Sequence, residues 1–179
     1  MPHEDVRMVR AYLSLGSNLG DRLGHLVRGL RYLLAPRQVE LVAVSSVYET
    51  APWGRTDQGP FLNAAALVRT TLEPRELLFA CQAAERSEGR ERLERWGPRT
   101  LDVDIALYGE VSIAEPDLVI PHPRLGERAF VLVPLLELDP SLRLPGGPAL
   151  SRLLAALPDQ GVRLHLPAAV FLERIRKGL

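Results

Sequence analysis

Two amphipathic helical patterns separated by β-rich runs constrain the fold of this chain more than any other feature. The apolar residues of the first pattern recur at helical spacing: Leu23, Leu26, Val27, Leu30, Leu33 and Leu34. Asp21 can cap the start of this helix, and Pro36 stops it. A second helix is predicted to open at Pro74 and to end near Gly89. Its inner side carries Leu77, Leu78, Cys81 and Ala84.

The β-rich runs lie at residues 9–15, 39–48, 61–71 and 100–108. Together with the two helices they give the order strand, helix, strand, strand, helix, strand. This order is typical of a split βαβ arrangement, an α+β fold in which helices pack on one face of an antiparallel sheet. The same fold hosts RNA binders, metal binders and enzymes, so it does not by itself indicate a function.

The chain after the fourth strand carries weaker patterns. They predict a short helix at 135–138 opened by Pro134, a helix at 150–157, a strand at 162–166 and a helix at 171–177. We expect a main domain over residues 1–158, with residues 159–179 as a C-terminal extension packed on or trailing it.

Charge and cysteine content exclude several classes of protein. Lys plus Arg equals Asp plus Glu at 22 each, which argues against a protein that binds nucleic acid through bulk charge. A single cysteine, Cys81, excludes an internal disulfide and a Cys-rich metal site, and it fits a reducing cytoplasm. No apolar leader opens the sequence, and its longest apolar run is far shorter than a membrane span. We therefore expect a cytoplasmic protein with no membrane or nucleic-acid partner and no evident obligate protein partner.

The sharpest chemical signal is a pair of carboxylates, Asp102 and Asp104, within the apolar strand at 100–108. Alternate strand residues share a face, so both side chains point the same way. Two oxygen ligands at this spacing suit one or two Mg²⁺ or Mn²⁺ ions. An exposed strand face with two solvated acids is the alternative.

Arginines crowd the segment before these carboxylates, and one more follows. They are Arg86, Arg90, Arg92, Arg95, Arg99 and Arg128. Guanidinium groups beside a metal-binding carboxylate pair are what a polyphosphate transfer site needs. Glutamates alternate with the arginines, so a solvated charged loop is the competing interpretation. The carboxylate pair favours a nucleotide-phosphate site.

Three further residues each allow two interpretations. Trp96 can cover an apolar ring or anchor its loop on the core. Asn63 can bind the edge of a heterocycle or satisfy loop backbone. His122, between two prolines, can donate to a phosphate or lie at the surface.

Five ordered motifs resemble those of the 6-hydroxymethyl-7,8-dihydropterin pyrophosphokinase family of folate biosynthesis. The longest is RWGPRTLDVDI at 95–105, and the others are LGSNL at 15–19, SSVYET at 45–50, FLNAA at 61–65 and PHP at 121–123. The resemblance runs from about residue 11 to about residue 140. It implies a ferredoxin-like α+β core and transfer of pyrophosphate from ATP to the pterin hydroxymethyl group, with release of AMP.

The resemblance also implies roles for individual residues. Asp102 and Asp104 would hold two Mg²⁺ ions, and the expected catalytic residues are these two with Arg90, Arg92 and Arg99. The expected ATP-binding residues are Gln82, Glu85, Arg90, Arg92, Arg95, Trp96, Arg99, Ile105, His122 and Arg128. The expected pterin-binding residues are Thr50, Pro52, Trp53, Phe61, Asn63, Trp96 and Phe130, with Phe61 and Phe130 as stacking faces.

Two other functions fit the predicted fold. An RNA-binding module should show a basic, aromatic strand face, whereas this strand shows two carboxylates. A metal-dependent nucleotidyltransferase would release pyrophosphate instead of AMP.

Overall fold

The computed structural model describes residues 7–51, 58–89 and 100–177. The strands are β1 (Val9–Ser17), β2 (Val39–Val44), β3 (Val47–Thr50), β4 (Phe61–Thr70), β5 (Asp102–Tyr108), β6 (Ile113–Glu115), β7 (Leu118–Ile120) and β8 (Arg163–Leu166). The helices are α1 (Arg22–Leu34), α2 (Pro74–Ser87), α3 (Ala129–Leu138), α4 (Leu150–Ala155) and α5 (Ala168–Arg176), with a 3₁₀ turn at Leu125–Glu127.

The main sheet has the strand order β5-β1-β4-β3-β8, and β2 also pairs with β4. The paired strands are antiparallel. β6 and β7 form a separate two-stranded hairpin. This topology confirms the α+β fold that the order of the sequence patterns predicts.

Helices cover both faces of the sheet, so the prediction of helices on one face is wrong. Leu13 and Leu15 of β1 are fully buried in a cluster with α1, α2 and α5. Tyr12, which precedes Leu13 in β1, belongs to a second cluster with α3 and α4. Since neighbouring strand residues point to opposite faces, the two clusters lie on opposite sides of the sheet. We call the side of α3 and α4 the α3 face.

The first two helices begin and end close to where the sequence predicts. Asp21 caps α1, and its Oδ1 accepts a hydrogen bond of 3.1 Å from the Gly24 N–H. Pro74 occupies the first turn of α2, where its missing N–H costs nothing. Cys81 is fully buried on the inner side of α2, as its apolar neighbours predict, and burial raises the pKa of its thiol.

Two details of the predicted elements are wrong. The run at 39–48 is two strands, because Ser45 and Ser46 interrupt it and Ser45 Oγ accepts a hydrogen bond of 2.8 Å from the Ala65 N–H. Pro134 does not open a helix but lies inside α3. Leu132 and Leu135, on either side of it, are fully buried, and this packing keeps the helix together across the missing N–H.

The segment after residue 158 joins the same sheet and core. β8 pairs with β3, and Phe171 and Ile175 of α5 are fully buried against α1 and β2. Arg31 of α1 donates to the Ile175 carbonyl at 3.1 Å, which satisfies a carbonyl in the last turn of α5. The division of the chain at residue 158 stays a prediction.

None of the helices in the described part of the chain is long and apolar enough to span a membrane.

Candidate active site

One row of residues crosses the sheet on the α3 face. In the pairing register, Gly16 of β1 lies opposite Asp102 of β5 on one side and opposite Asn63 of β4 on the other. Tyr48 of β3 lies opposite Asn63 and extends the row. A carboxylate and a carboxamide thus flank a glycine, about 10 Å apart across two strand spacings.

A second row places Asp104 beside the first carboxylate. Asp104 lies opposite Ser14, which in turn lies opposite Ala65. The two aspartates share a face, as the sequence spacing predicts. The Asp104 side chain keeps 38% of its surface exposed. Within residues 7–51, 58–89 and 100–177, no group of three or more His, Cys, Asp or Glu side chains is arranged to hold a metal ion.

Gly16 leaves room for the Asn63 and Phe61 side chains of β4. A Cβ at this position would lie 3.3 Å from Asn63 Oδ1 and 3.8 Å from the Phe61 ring. Any larger side chain at position 16 would occupy the space between the carboxylates and the carboxamide. The sequence shows Gly16 only as part of a motif, and its position in the site emerges from the strand register.

A β-bulge positions His122 beside the carboxylates. The register between β1 and β5 skips Ala106, and the Ala106 carbonyl accepts a hydrogen bond of 3.1 Å from the His122 N–H. His122 Nε2 lies 3.8 Å from Asp104 Oδ2. The structure therefore brings together three residues that the sequence assigns to the phosphate side.

The His122 ring is held in one tautomer. Its Nδ1 accepts a hydrogen bond of 3.2 Å from the Arg124 N–H, so the proton of the neutral ring is on Nε2, the nitrogen near Asp104. Burial, followed by the charge of Arg128, lowers the pKa of His122, while Asp102 opposes the shift. The ring is thus neutral at pH 7 and can donate from Nε2.

The carboxamide side of the site is already hydrogen-bonded. Asn63 is 4% exposed, and its Nδ2 donates to Thr50 Oγ1 at 2.7 Å. Thr50 lies opposite Phe61 in the register of β3 and β4. Phe61 is half-buried, so its ring lines this side without being enclosed by the core.

The start of α3 carries two more of the site residues predicted from the sequence. Arg128 is the N-cap residue of α3, and its guanidinium carbon lies 5.7 Å from the centre of the Phe130 ring. This distance suits a cation–π contact. α3 packs on β4, which carries Asn63, so Arg128 and Phe130 belong to the same face as the two rows.

The predicted nucleotide residues lie around β5 and α2. Glu85 is 3% exposed, and its Oε2 accepts a hydrogen bond of 3.0 Å from the Val103 N–H. Ile105 is two residues further along β5, and its side chain is buried in the core. Alternate residues direct their backbone N–H and C=O groups to the same side of a strand. The Ile105 backbone therefore faces the same outer edge of β5 as the Val103 N–H, whereas the Ile105 side chain does not. Gln82 lies half-buried on α2.

Several predicted site residues lie outside the described residues. They are Pro52, Trp53, Arg90, Arg92, Arg95, Trp96 and Arg99. Their roles stay predictions.

Comparison with protein families identifies the chain at the level of family. Residues 12–140 match the family model described as 7,8-dihydro-6-hydroxymethylpterin-pyrophosphokinase. The chain belongs to this family. The matched segment contains both rows of the site, His122 and the start of α3.

Curated relatives of this pyrophosphokinase family agree. Two of them are named 2-amino-4-hydroxy-6-hydroxymethyldihydropteridine pyrophosphokinase. The protein from Methylorubrum extorquens is 45% identical over 155 residues, covering 87% of this chain and 98% of the relative. The one from Pseudomonas aeruginosa is 46% identical over 160 residues, covering 89% and 98%.

Solved structures support the fold. A crystal structure of Plasmodium falciparum HPPK-DHPS with pterin and p-hydroxybenzoate matches with a TM-score of 0.64 and 14% identity. The match covers 86% of this chain and 44% of that chain, so this chain spans less than half of that protein.

The family and the relatives' names indicate pyrophosphoryl transfer to hydroxymethyldihydropterin in folate biosynthesis. This confirms the function that the sequence motifs predict. The RNA-binding module and the nucleotidyltransferase are not supported.

Proposed function

We propose that the protein transfers pyrophosphate from ATP to the hydroxymethyl oxygen of 6-hydroxymethyl-7,8-dihydropterin in a Mg²⁺-dependent reaction that releases AMP. The observation that supports it most directly is the row of Asp102, Gly16 and Asn63 on the α3 face. It sets a carboxylate for the phosphate side and a carboxamide for the pterin side on one face, with Gly16 between them.

The carboxylate pair fits Mg²⁺. Asp102 and Asp104 offer only oxygen ligands, they share a face, and the Asp104 side chain is accessible. Mg²⁺ is commonly held by one or two carboxylates with substrate phosphates and water in the remaining positions. Two protein ligands and two expected ions agree with that pattern. When bound, Mg²⁺ neutralises charge on the triphosphate.

His122 and Arg128 act on the phosphate side in this proposal. The neutral His122 ring donates its Nε2 proton in a hydrogen bond to a phosphate oxygen. Arg128 adds a fixed positive charge. Arg90, Arg92, Arg95 and Arg99 are proposed to bind the rest of the triphosphate. The protein then works by positioning and charge stabilisation, and no side chain is assigned as a general base.

Asn63, Phe61 and Phe130 act on the pterin side. The Asn63 carboxamide presents its remaining donor and acceptor to the polar edge of the ring. Phe61 and Phe130 supply the two stacking faces, while Thr50 fixes the amide by accepting its hydrogen bond. Pro52, Trp53 and Trp96 are proposed to complete the pocket. Gln82, Glu85 and the Ile105 backbone are proposed to bind the nucleotide base.

We also propose that the protein acts in the cytoplasm on these two small molecules, without a nucleic-acid, membrane or obligate protein partner. The balanced charge and single buried cysteine support this. Residues 1–158 are proposed as the pyrophosphokinase domain and 159–179 as its extension.

A product assay tests the reaction. The purified protein is incubated with ATP, Mg²⁺ and 6-hydroxymethyl-7,8-dihydropterin, and the nucleotide and pterin products are separated by chromatography. We expect AMP and the pterin diphosphate in equal amounts, and neither when pterin or Mg²⁺ is left out. Release of pyrophosphate with a nucleotidylated pterin, or no reaction at any Mg²⁺ concentration, would refute the proposal.

A further inference from the structure

We propose that Glu137 is a positioning residue that sets the pterin side of the site by tying α3 to β3. The inference rests on the proposed pterin site, but it concerns residues to which the sequence motifs and the family resemblance give no role.

The Glu137 carboxylate receives three donors from one short segment. The Ser46 N–H lies 2.9 Å and 3.0 Å from its two oxygens, and the Ser46 hydroxyl donates to Oε2 at 3.0 Å. The Tyr48 hydroxyl donates to Oε1. Burial, followed by the hydrogen bond to Glu137, raises the pKa of Tyr48, so this hydroxyl keeps the proton that it donates. Hydrogen bonds to an ionised acceptor are the stronger kind.

The same segment leads directly to the pterin side. Tyr48 lies opposite Asn63 in the sheet, and Thr50, two residues further, accepts the Asn63 amide hydrogen bond. Because positions 46, 48 and 50 alternate along an extended chain, all three face α3. A carboxylate on α3 therefore fixes two of these positions, and the third holds the pterin-binding amide.

The other end of the link is the helix that carries Phe130. Phe130 and Glu137 are seven residues apart on α3, about two turns, so they lie on the same side of the helix. Anchoring Glu137 to β3 fixes how α3 sits on the sheet. It thereby fixes Phe130 relative to Asn63 and Thr50.

The C-terminal extension reaches the same junction. The Ala168 N–H, at the start of α5, donates to Ser46 Oγ at 3.1 Å. β8 pairs with β3 directly. Ser46, which is only 8% exposed, thus joins α3, β3 and α5 at one point. The carboxylates of β5 lie at the opposite edge of the sheet. A change at the junction should therefore weaken pterin binding and leave ATP binding unchanged.

The test compares ligand binding in Glu137→Ala, Glu137→Gln and Tyr48→Phe with the parent, by calorimetry. Glu137→Ala removes the acceptors, and we expect the pterin dissociation constant to rise about tenfold. Glu137→Gln retains one acceptor oxygen and should recover part of the loss. Tyr48→Phe removes a single donor and should have a smaller effect. Binding of a non-hydrolysable ATP analogue with Mg²⁺ should not change in any of them.

Glu40→Gln is the matched control, because Glu40 is also an exposed carboxylate in a hydrogen bond, with Arg69, but it lies on β2 away from the site. It should bind both ligands like the parent. Unchanged pterin binding in Glu137→Ala, or equal weakening of pterin and ATP analogue in Glu137→Ala and Tyr48→Phe, would overturn the inference. A parent protein that does not bind the pterin would instead refute the proposed function.

Discussion

The two proposed sides of the site differ in how deeply their polar side chains are buried. On the pterin side, Asn63 is 4% exposed and its amide already donates to Thr50. On the phosphate side, Asp104 keeps 38% of its side chain exposed, and its fellow carboxylate Asp102 lies on the same face. We therefore propose that the protein holds the pterin-binding amide in place through Thr50, whereas Mg²⁺ and ATP bind at carboxylates that solvent reaches.

The largest effect is expected when either carboxylate is removed. Asp102→Ala or Asp104→Ala should lower turnover at least about a hundredfold, about 3 kcal/mol of barrier, because charge on the transferring group loses its stabilisation. Pterin binding should stay nearly unchanged, since Asn63 lies two strands away from the carboxylates and is held by Thr50. Steady-state assays with Mg²⁺ and calorimetry with the pterin measure the two quantities.

Asp117→Ala is the control for this prediction, because the exposed Asp117, between β6 and β7, pairs with Arg75 of α2. It should keep nearly parental turnover. A folded Asp102 or Asp104 variant with parental activity would contradict the metal assignment.

A side chain added at position 16 should weaken the binding of both ligands. The Cβ of Gly16→Val would press on Asn63 Oδ1, and its branches would stand between the amide and Asp102. We expect pterin and ATP-analogue binding each to weaken by about 1–3 kcal/mol, with a smaller loss in Gly16→Ala. Calorimetry on both variants checks this. If only one ligand were affected, Gly16 would not lie between the two.

Asn63→Ala should weaken the binding of one ligand and not of the other. Loss of the carboxamide removes the partner of the polar pterin edge and should weaken pterin binding by about 1–3 kcal/mol. Binding of the ATP analogue should hardly change. Equal losses for both ligands, measured by calorimetry, would point to a general structural role for Asn63.

The smallest effect concerns His122. Since burial and Arg128 lower the pKa of His122, its ring signals should titrate below the ordinary value of about 6.5 in the protein without Mg²⁺. Arg128→Met should move the midpoint upward, because a nearby positive charge that disfavours the protonated ring is removed. NMR titration of the histidine signals, with His122→Gln for assignment, measures the shift. A downward move in Arg128→Met would contradict the proximity of the two groups.

Local patterns predicted most of the elements. The Asp21 cap, the Pro74 start of α2 and the shared face of Asp102 and Asp104 depend on spacing within one segment, and the structure confirms them. Strand β8 and helix α5 lie within a few residues of the predicted ranges. Such features need only helical or strand periodicity, which the sequence shows directly.

Features that depend on packing were missed. The valine-rich run predicts one strand, but Ser45 binds the backbone of the neighbouring β4 and the run becomes two. Proline rules predict a helix start at Pro134, but burial of its neighbours holds α3 together across it. The hairpin β6–β7 has only three residues in each strand, too few to show a pattern.

The sequence by itself determined the element types, the family and the pairing of the two aspartates, because each depends on residues close together in the chain. Only the tertiary structure decided that Asp102, Gly16 and Asn63 form one row and that a bulge at Ala106 holds His122 beside Asp104. These residues come from different strands, whose register is set by burying two apolar clusters on opposite faces of the sheet. A shift of one residue in any strand would turn its site residues into the other cluster, so the core and the site are fixed by the same pairing.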